Sequence, residues 1–446
     1  MKTICAGSNR AKPHPKVLVI SHNVLGFSTN MGKTMMDFFT GWPQDEIAQL
    51  YFYNEVPAPG VCQCYFRITD FDMLESIFKF KNPGMAFCDK IIEADGMFAK
   101  SEAGVQASFY QLGAKRKPYG YFFRNLLWKT RKWKTRELIS WIDEYNPEIV
   151  FYAAGDYTFS MKIALNISRE KNIPLVTYFG DDFYFLENST KLSFFEQVNR
   201  ENFSRQLEEL FSYLTTFTAA TDKLNERYSK YFGKTGYAIL NSARILKEKA
   251  VEVRGNEILK ISYIGTLILN RWRGLVDIGR CLRKVGLVLD VYSMEKDPKI
   301  LSQLTIVNGI RFQGRIPPED VGEVIRASTI VVHVEAMDWM SKRLTKYSLS
   351  SKIGDYLGSG VCLFAYGPSD VASIEYLREN DVACVCRSEN ELQDKLEGIL
   401  KNAELRQHYI NNALKLAAAR HDLTTNADSF YEMVRDAMGE KVNTAL

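Results

Sequence analysis

The chain has 446 residues, of which 46% are hydrophobic and 25% are charged, and its formal net charge is only +4. This length suits two globular domains that each bury a core of their own. The composition excludes a disordered or low-complexity protein, and the small net charge gives no reason to expect a nucleic-acid partner. No apolar run approaches the roughly 20 residues that cross a bilayer, so we expect a cytoplasmic protein.

The eight cysteines form no recognisable metal site. Cys62 and Cys64, like Cys384 and Cys386, are two residues apart and lack the C-x-x-C spacing and nearby histidines typical of zinc sites. Residues two apart in a strand share one face, so Cys384 and Cys386 are predicted to be small core residues. We expect reduced thiols, no metal and no cofactor.

The chain begins its regular structure with a predicted buried strand over Lys16 to Ser21, followed by a loop that contains Gly26. A strand that ends in a glycine-containing loop before a helix is the usual start of a Rossmann-like half, in which ligands bind at the carboxyl end of the sheet. The later run Gly32-Lys33-Thr34 does not complete a P-loop, because Phe27 stands where the first glycine is needed. A nucleoside triphosphatase is therefore not favoured.

Residues 50 to 112 show no clear period, and no elements are predicted there. From Lys115 to Arg136 the chain has nine Lys or Arg and no acid, interleaved with six aromatic residues. Basic and aromatic residues together are typical of contact with an anionic membrane surface, and an ordinary solvated face on two helices with aromatic residues in the core explains them equally well. RNA binding is the less favoured reading.

A β-α-β pattern follows, with predicted strands over Pro147 to Gly155 and Pro174 to Gly180 and a helix over Met161 to Lys171. This order predicts a parallel sheet. Acids come directly after both strands, namely Asp156, Asp181 and Asp182. At the carboxyl ends of parallel strands such acids can orient an acceptor hydroxyl or take its proton, while helix capping and loop solvation are the structural alternatives.

A predicted strand, helix and strand over Phe217 to Asn241 close the first half, and the charged segment 246–256 is the predicted linker. The second half restarts with a strand over Leu259 to Gly265, followed by Arg271 and Arg273. Arginines just beyond such a strand suit a diphosphate, because the guanidinium group pairs with two oxygens and keeps its charge. A later strand, over Thr329 to Val334, ends at His333 and Glu335. Both are candidates for contact with a bound sugar, and a purely structural role is the alternative for His333.

The stretch Tyr347 to Gly367 reads as polar cap, short helix, tight turn and buried strand. Ser350 and Ser351 open the helix, so its first N–H groups and the nearby charge of Lys352 together favour phosphate binding. Asp355 lies one turn further along, where its carboxylate can accept hydrogen bonds from a ribose diol. An ordinary capped helix with a solvated Asp355 explains this stretch equally well.

The order of Ser-Lys, acid, small-Ser-Gly and apolar strand resembles the donor-binding segment of GT-B glycosyltransferases, especially the retaining family four, or "group 1". The resemblance implies that Arg273, with Arg271 close by, neutralises the departing diphosphate. It implies also that Ile316 frames the base and that the Gly26 loop closes over both substrates. This chain departs from the family's E-x7-E pattern, since Tyr347 replaces the first acid and the shorter Asp355 replaces the second.

The expected fold class is therefore α/β, with two Rossmann-like parallel-sheet domains that face each other across a cleft. The expected domains are an acceptor-side domain over 1–245, the linker, a nucleotide-sugar domain over 257–425, and a last helix over 426–446 that crosses back. The implied activity moves a sugar from a nucleotide diphosphate sugar to a glycan or lipid-linked acceptor, at the inner face of the cell membrane. The alternatives are another GT-B enzyme, such as a sugar-nucleotide epimerase, and an inert GT-B subunit of an assembly complex.

Overall fold

The computed structural model describes residues 14–89, 118–185, 193–243 and 259–439. The chain divides into two compact units. Unit 1 comprises Met1–Thr177, Leu192–Thr215 and Val434–Leu446, and unit 2 comprises Tyr178–Lys191 and Thr216–Met433. The predicted linker over 246–256 lies outside the described residues, and the predicted domain boundaries and the crossing of the last helix stay predictions.

Strands and helices alternate along the first half of the chain. In chain order the elements are β1 (Val17–Ser21), α1 (Asn30–Phe38), β2 (Ile47–Tyr51), β3 (Cys64–Arg67), α2 (Asp70–Phe78), β4 (Met85–Cys88), α3 (Pro118–Lys129), α4 (Arg136–Tyr145), β5 (Ile149–Ala153), α5 (Thr158–Lys171), β6 (Leu175–Phe179), α6 (Phe194–Tyr213), β7 (Thr216–Ala219), α7 (Asp222–Phe232) and β8 (Gly236–Ala238). Their strand order in the sheet is β4-β3-β2-β1-β5-β6-β7-β8. β1 pairs in parallel with both β2 and β5, whereas β4 runs antiparallel to β3.

The second half continues the same alternation. Its elements are β9 (Ile261–Ile264), α8 (Arg271–Lys284), β10 (Leu289–Tyr292), α9 (Pro298–Leu301), β11 (Ile310–Gly314), α10 (Val321–Arg326), β12 (Ile330–Val334), α11 (Trp339–Thr345), α12 (Lys352–Gly358), β13 (Cys362–Tyr366), α13 (Ala372–Glu379), β14 (Cys384–Cys386), α14 (Leu392–Lys401), α15 (Ala403–Arg420) and α16 (Leu423–Ala437). The six strands have the order β11-β10-β9-β12-β13-β14, and every neighbouring pair is parallel.

The central strands of each sheet are apolar and buried on both faces. All five residues of β1, β2 and β5 are buried, as are those of β12 and β13. Such continuous burial is what helices on both faces of a parallel sheet impose, and it explains why these strands read as apolar runs without alternation. The predicted α/β class with two parallel-sheet domains is confirmed.

The strand order reverses twice, and each reversal creates a place for ligands. In the second sheet the chain runs outward from β9 to β11 and then returns to β12 beside β9. In the first sheet β1 lies between β2 and β5 in the same way. Ligands of open α/β sheets bind outside the carboxyl ends of the strands at such switch points. The loops after β1, β5, β9 and β12 are therefore the candidate ligand-binding loops.

One predicted element ends earlier than its sequence suggests. The apolar run up to Asn241 predicted a strand that includes Leu240, but β8 ends at Ala238. The carbonyl groups of Leu240 and Asn241 instead accept hydrogen bonds from the side chains of Asn426 and His421, at 2.9 and 2.7 Å. Side chains of distant helices thus replace the strand hydrogen bonds.

None of the helices in the described part of the chain combines the length and the apolar character needed to span a bilayer.

Candidate functional site

Two buried tyrosines fix the carboxyl end of β9. Tyr356 on α12 donates its hydroxyl to the carbonyl of Ile264 at 3.0 Å, and Tyr263 donates to the carbonyl of Thr266 at 2.7 Å. Both rings are almost fully buried, at 2% and 4% exposure. The loop that leaves β9 at Gly265 therefore starts from a defined position, with α12 packed beside it.

The ammonium group of Lys352 lies against this end of β9. A Cβ atom built on Gly265 would stand 3.0 Å from Lys352 Cε and 3.1 Å from its Nζ, so a side chain at this position would displace the end of the lysine. Burial and the nearby charge of Arg271 lower the pKa of Lys352 to about 8, against the opposing effect of Glu335 and Asp355. Since the two cations repel each other, an anion bound beside them would be strongly favoured.

Glu335 is the buried acid of this cluster, with 2% exposure, and it lies directly after β12. Its carboxylate accepts from Arg271 Nη2 at 3.1 and 3.3 Å, and His333 Nε2 lies 3.3 Å from its Oε1. Burial by itself would raise the pKa of Glu335, but His333 and Arg271 outweigh burial and hold it below its usual value. Glu335 thus neutralises Arg271 and leaves the charge of Lys352 in excess.

Arg273 lies exposed on the first turn of α8, with its guanidinium carbon 5.3 Å from the ring centroid of Trp272. The residue before the helix, Asn270, has a left-handed backbone with φ of 57° and donates its amide to Asp338 at 3.1 Å. Asp338 also caps α11 by accepting from the N–H of Ser341 at 3.1 Å. This acid therefore ties the loop after β9 to the loop after β12 and positions the turn that carries Arg273.

One of the backbone N–H groups predicted to bind phosphate at the start of α12 already forms a hydrogen bond within the protein. The N–H of Ser350 donates to Ser373 Oγ at 3.2 Å, whereas the side chain of Ser351 does not cap the helix that it precedes. Asp355 lies one turn into α12 and is partly exposed. Ser351 and Lys352 are thus the members of this group that start the helix beside β9.

Ile316 lies two residues beyond the end of β11 and is partly buried against the core cluster that includes Val331 and Ile353. Its predicted contact with a base stays a prediction, as do the other predicted roles of single residues. The structure does bring together Arg271, His333, Glu335 and Lys352, which the sequence places on three separate segments.

Tyr347 stands where the resembling family carries the first acid of its E-x7-E pattern. The ring centroid of Tyr347 lies 5.7 Å from Lys223 Nζ and 5.8 Å from Lys346 Nζ, and its carbonyl accepts from Thr221 Oγ1 at 2.9 Å. Lys223 also forms an ion pair with Glu375 at 2.6 Å. Two ammonium groups, one of them paired with Glu375, therefore lie around an aromatic ring where the family has an acid.

The two acids after β6 have different surroundings. Asp181 is exposed and accepts from Ser348 Oγ at 2.5 Å. Asp182 is buried, and burial raises its pKa. Its Oδ1 accepts three hydrogen bonds of 3.0 Å from its own surroundings, from the N–H groups of Tyr184 and Phe185 and the hydroxyl of Tyr228. Asp182 therefore orders its loop, and Asp181 is the acid that faces solvent.

In unit 1, Asp156 follows β5 and accepts a hydrogen bond from the Tyr121 hydroxyl at 2.7 Å. The ring of Tyr121 is nearly parallel to that of Tyr157, at 6.1 Å between centroids, and the ring of His22 lies 4.2 Å from Tyr157. The carboxylate is thus held by a phenol and surrounded by flat rings, which can pack against the apolar faces of a sugar.

The loop that contains Gly26 is tied down by a residue that the sequence reading missed. Gln49 is fully buried in β2 and accepts from the N–H of Leu25 at 3.0 Å, while its amide donates to Ser21 Oγ at 2.8 Å. Gly26 is itself buried, and a Cβ there would lie 3.3 Å from the carbonyl of Val56. A single glutamine inside an otherwise apolar strand was the signal that pointed to this anchor.

Residues 279–432 match the family model described as "Glycosyl transferase-like". No curated protein matches the sequence of this chain. Among solved structures, HepE from Anabaena in complex with UDP has 12% identity and a TM-score of 0.58, with 94% of this chain and 100% of HepE covered.

Two further structures are similar over the whole chain. Sucrose-phosphate synthase from Thermosynechococcus elongatus has 10% identity and a TM-score of 0.61, with 96% of this chain and 100% of that chain covered. WaaG, a glycosyltransferase involved in lipopolysaccharide biosynthesis, has 13% identity and a TM-score of 0.56, with 94% and 99% covered. Likeness at this level of identity shows the fold, so the predicted GT-B architecture is confirmed.

Proposed function

We propose that this GT-B protein, with its glycosyl transferase-like segment, is a glycosyltransferase that moves a sugar from a nucleotide diphosphate sugar to a hydroxyl of a glycan or lipid-linked acceptor. The observation that carries the proposal is the ammonium of Lys352 against Gly265 at the end of β9, beside an Arg271 that Glu335 already neutralises. Cationic charge in excess at a switch point is what a diphosphate requires. The structures of HepE with UDP and with UDP-glucose support this choice of donor.

The chemistry of the transfer follows from the charges at this edge of the sheet. Negative charge grows on the diphosphate as its bond to the sugar breaks, and Lys352 and Arg273 stabilise it from fixed positions. In the retaining course that the family resemblance implies, an oxygen of the leaving phosphate takes the acceptor proton. Asp156 then orients the acceptor hydroxyl, with its own carboxylate held by Tyr121.

The remaining residues divide between the donor and the acceptor. We assign Asp355 to the ribose, Ile316 to the base, Ser350 and Ser351 to the diphosphate, and His333 and Glu335 to the donor sugar. We assign Asp181, Asp182 and the Gly26 loop to the acceptor side. WaaG acts in lipopolysaccharide biosynthesis, which supports a role in cell-surface polysaccharide or glycolipid synthesis.

We propose also that α3 rests on an anionic membrane at the inner face of the cell membrane. Tyr119, Phe123 and Leu126 recur at helical spacing and are 49%, 59% and 54% exposed. Exposed apolar residues on one face of a helix within a basic stretch of the chain suit the boundary between headgroups and acyl chains. Phe123→Ser should abolish binding to phosphatidylglycerol vesicles and leave the unfolding temperature unchanged, and undiminished vesicle binding would refute the contact.

The donor assignment is tested by thermal stability with a panel of nucleoside diphosphates. A ligand at about 100 times its Kd adds roughly 2.7 kcal/mol to the stability of the folded state. We expect one nucleotide to stabilise the protein and the effect to fall in Asp355→Ala. Arg273→Ala should lose turnover of the matching nucleotide sugar, whereas Arg280→Ala, an exposed arginine on the same helix α8, should keep it. No stabilisation by any nucleotide would overturn the proposal in favour of an inert subunit.

A further inference from the structure

Unit 1 contains a cavity of about 530 Å³ between α3, α5 and α6. Polar side chains from all three helices contribute to its lining, among them Asn125, Lys129, Lys162, Asn166, Asn202 and Gln206. Trp128 and Trp133 form apolar parts of the wall and are themselves buried. The volume lies within the range of about 300–1,000 Å³ that is common for small-molecule sites.

The cavity carries an excess of positive charge. Lys129, Arg131, Lys162 and Arg169 line it, and the acid that lines it, Glu209, is already paired with Arg169 at 2.6 Å. In the part of the chain that the structure describes, the first three cations have no carboxylate within ion-pair distance. Burial, followed by the neighbouring charge of Lys129, lowers the pKa of Lys162 even though Glu209 opposes the change. An anionic ligand would relieve this repulsion.

The same cavity leaves a buried amide oxygen unsatisfied. Gln206 is 6% exposed, and its Oε1 has no hydrogen-bond partner among the residues that the structure describes, while its Nε2 only reaches Glu209 at 3.5 Å. Buried polar atoms of side chains are normally paired, and an unpaired one calls for an explanation. A hydroxyl donor from a ligand in the cavity would complete its hydrogen bonding, and the other carboxamides of the lining offer further donors and acceptors.

The cavity begins beside the predicted acceptor site and runs along α5. Thr158, Lys162, Asn166 and Arg169 recur at spacings of four, four and three, so they share one face of the helix over about 17 Å. Thr158 lies two residues beyond Asp156. Its hydroxyl donates to Asn125 Oδ1 at 2.6 Å. Asn125 lies one turn along α3 from Tyr121, whose hydroxyl donates to the Asp156 carboxylate.

We propose that this cavity binds an anionic carbohydrate, a stretch of glycan that bears carboxylate or phosphate groups. The cavity binds the part of the acceptor chain that is remote from the reacting hydroxyl, which Asp156 orients. The identification of the ligand as acceptor rests on the proposed function, but binding needs no donor and can be measured without turnover. The exposed apolar face of α3 at Phe123 is separate from the face at Asn125 and Lys129 that lines the cavity.

The test is isothermal titration calorimetry of the full chain with four soluble probes. Trigalacturonate and glucose 6-phosphate supply the carboxylate and the phosphate, and maltotriose and glucose are the matched neutral controls. We expect at least one acidic probe to bind at least tenfold more tightly than its neutral control and to bind more weakly at high salt, because screening weakens charge contacts. Whichever acidic probe binds identifies the anionic group.

Three variants of cavity residues and one control variant locate the binding. Lys162→Gln and Arg131→Gln should each weaken binding about tenfold, since a hydrogen bond to a charged group is lost. Arg136→Gln removes the same charge from the same basic stretch outside the cavity and should change nothing. Gln206→Leu should weaken binding while the unfolding temperature stays equal or rises, because an unsatisfied buried amide is removed.

Equal binding of acidic and neutral probes, or an equal loss in Arg131→Gln and Arg136→Gln, would overturn this inference. So would a dependence on Lys162 that is seen only with phosphatidylglycerol vesicles, since the cavity would then hold a lipid headgroup. If nucleoside diphosphates stabilise the protein but no acidic probe binds, the glycosyltransferase proposal stands and this inference fails. Acidic probes that bind when no nucleotide does would support the cavity and overturn the donor assignment.

Discussion

The guanidinium of Arg271 lies 3.1 Å from the carboxylate of Glu335, which is 2% exposed. A buried carboxylate stays charged only when a cation or strong donors compensate for lost solvation. The pair joins the first turn of α8 to the end of β12, so it links the two strands of the switch point. Arg271 therefore contributes to the stability of unit 2, whereas the neighbouring Lys352 and Arg273 are the charges left for a ligand.

Arg271→Ala should lower the free energy of unfolding by about 3 kcal/mol, because breaking a buried ion pair leaves an uncompensated charge. Urea denaturation measures this change. Arg273→Ala is the matched control on the same helix turn, and its exposed side chain should cost no more than about 0.5 kcal/mol. Equal losses in the two variants would contradict the structural role of the Arg271 pair.

Gly265→Ala should weaken nucleoside diphosphate binding about tenfold while the protein stays folded. The added methyl group would stand 3.1 Å from both Lys352 Nζ and the Tyr263 hydroxyl, so the flexible end of the lysine, the more mobile of the two, has to shift from its position at β9. The loss corresponds to one hydrogen bond to a charged group. Thermal shift with the nucleotide measures it.

Gly398→Ala is the control for this substitution, since a Cβ there has no neighbour within 4 Å and the residue lies inside α14. It should raise stability by about 0.5–1 kcal/mol and leave the response to nucleotide unchanged. An unchanged response in Gly265→Ala as well would show that Lys352 does not contact the ligand.

Binding of the nucleoside diphosphate should weaken as pH rises through about 8, because Lys352 then loses its charge in the ligand-free protein. In Lys352→Met the affinity should be lower at pH 7 and nearly independent of pH between 7 and 9.5. Titrations at several pH values measure both curves. Parallel curves for the wild type and Lys352→Met would assign the pH dependence to another group.

The lowered pKa of Lys352 also predicts how the stability of the ligand-free protein changes with pH. Stability should rise with pH, whereas nucleotide binding should weaken. Its folded-state pKa of about 8 lies below the ordinary value of 10.5, so the unfolded chain binds more protons between these values. The penalty of burying the charged lysine is fully present below pH 8 and disappears as pH rises toward 10.5. Relative to Lys352→Met, the wild type should therefore gain stability across this window.

His421 should make the protein sensitive to acid. It is fully buried, its Nδ1 donates to the carbonyl of Asn241 at 2.7 Å, and its Nε2 accepts from the hydroxyl of Tyr376 at 2.9 Å. Burial lowers the pKa of His421 to about 4. The unfolded chain takes up a proton near the ordinary value of 6.5 while the folded protein does not, so stability falls as pH drops from 6.5 toward 4.

Urea denaturation at pH 7, 5.5 and 4.5 tests this expectation. His421→Gln should be less stable at pH 7 and should lose less stability on acidification than the wild type. His408→Gln is the control, because His408 is exposed and pairs with Asp381 at the surface. An identical acid profile in His421→Gln and the wild type would exclude His421 as the responsible group.

Some elements went unpredicted although the sequence carries a signal for them. Residues 50 to 112 showed no clear period, yet α2 lies there. It begins with a capping box, in which the side chains of Thr69 and Asp72 each accept a hydrogen bond from the other residue's N–H. The S/T-x-x-acid spacing is visible in the sequence, but the segments on either side are too short and irregular to show the period of a helix. The end of β8 carried no such signal, because the partners of the Leu240 and Asn241 carbonyl groups, Asn426 and His421, lie more than 170 residues away.

The sequence by itself determined the fold class, since apolar runs, glycine breaks and polar helix starts are local and recur in the order that parallel sheets require. It also identified Arg271, Glu335 and Lys352 as single candidates. Only the tertiary structure decided how they act together, because Arg271 and Glu335 are 64 residues apart and meet through the strand order β9-β12. Burial and neighbouring charge, which depend on that packing, then set the pKa of Lys352 and leave its charge for a ligand.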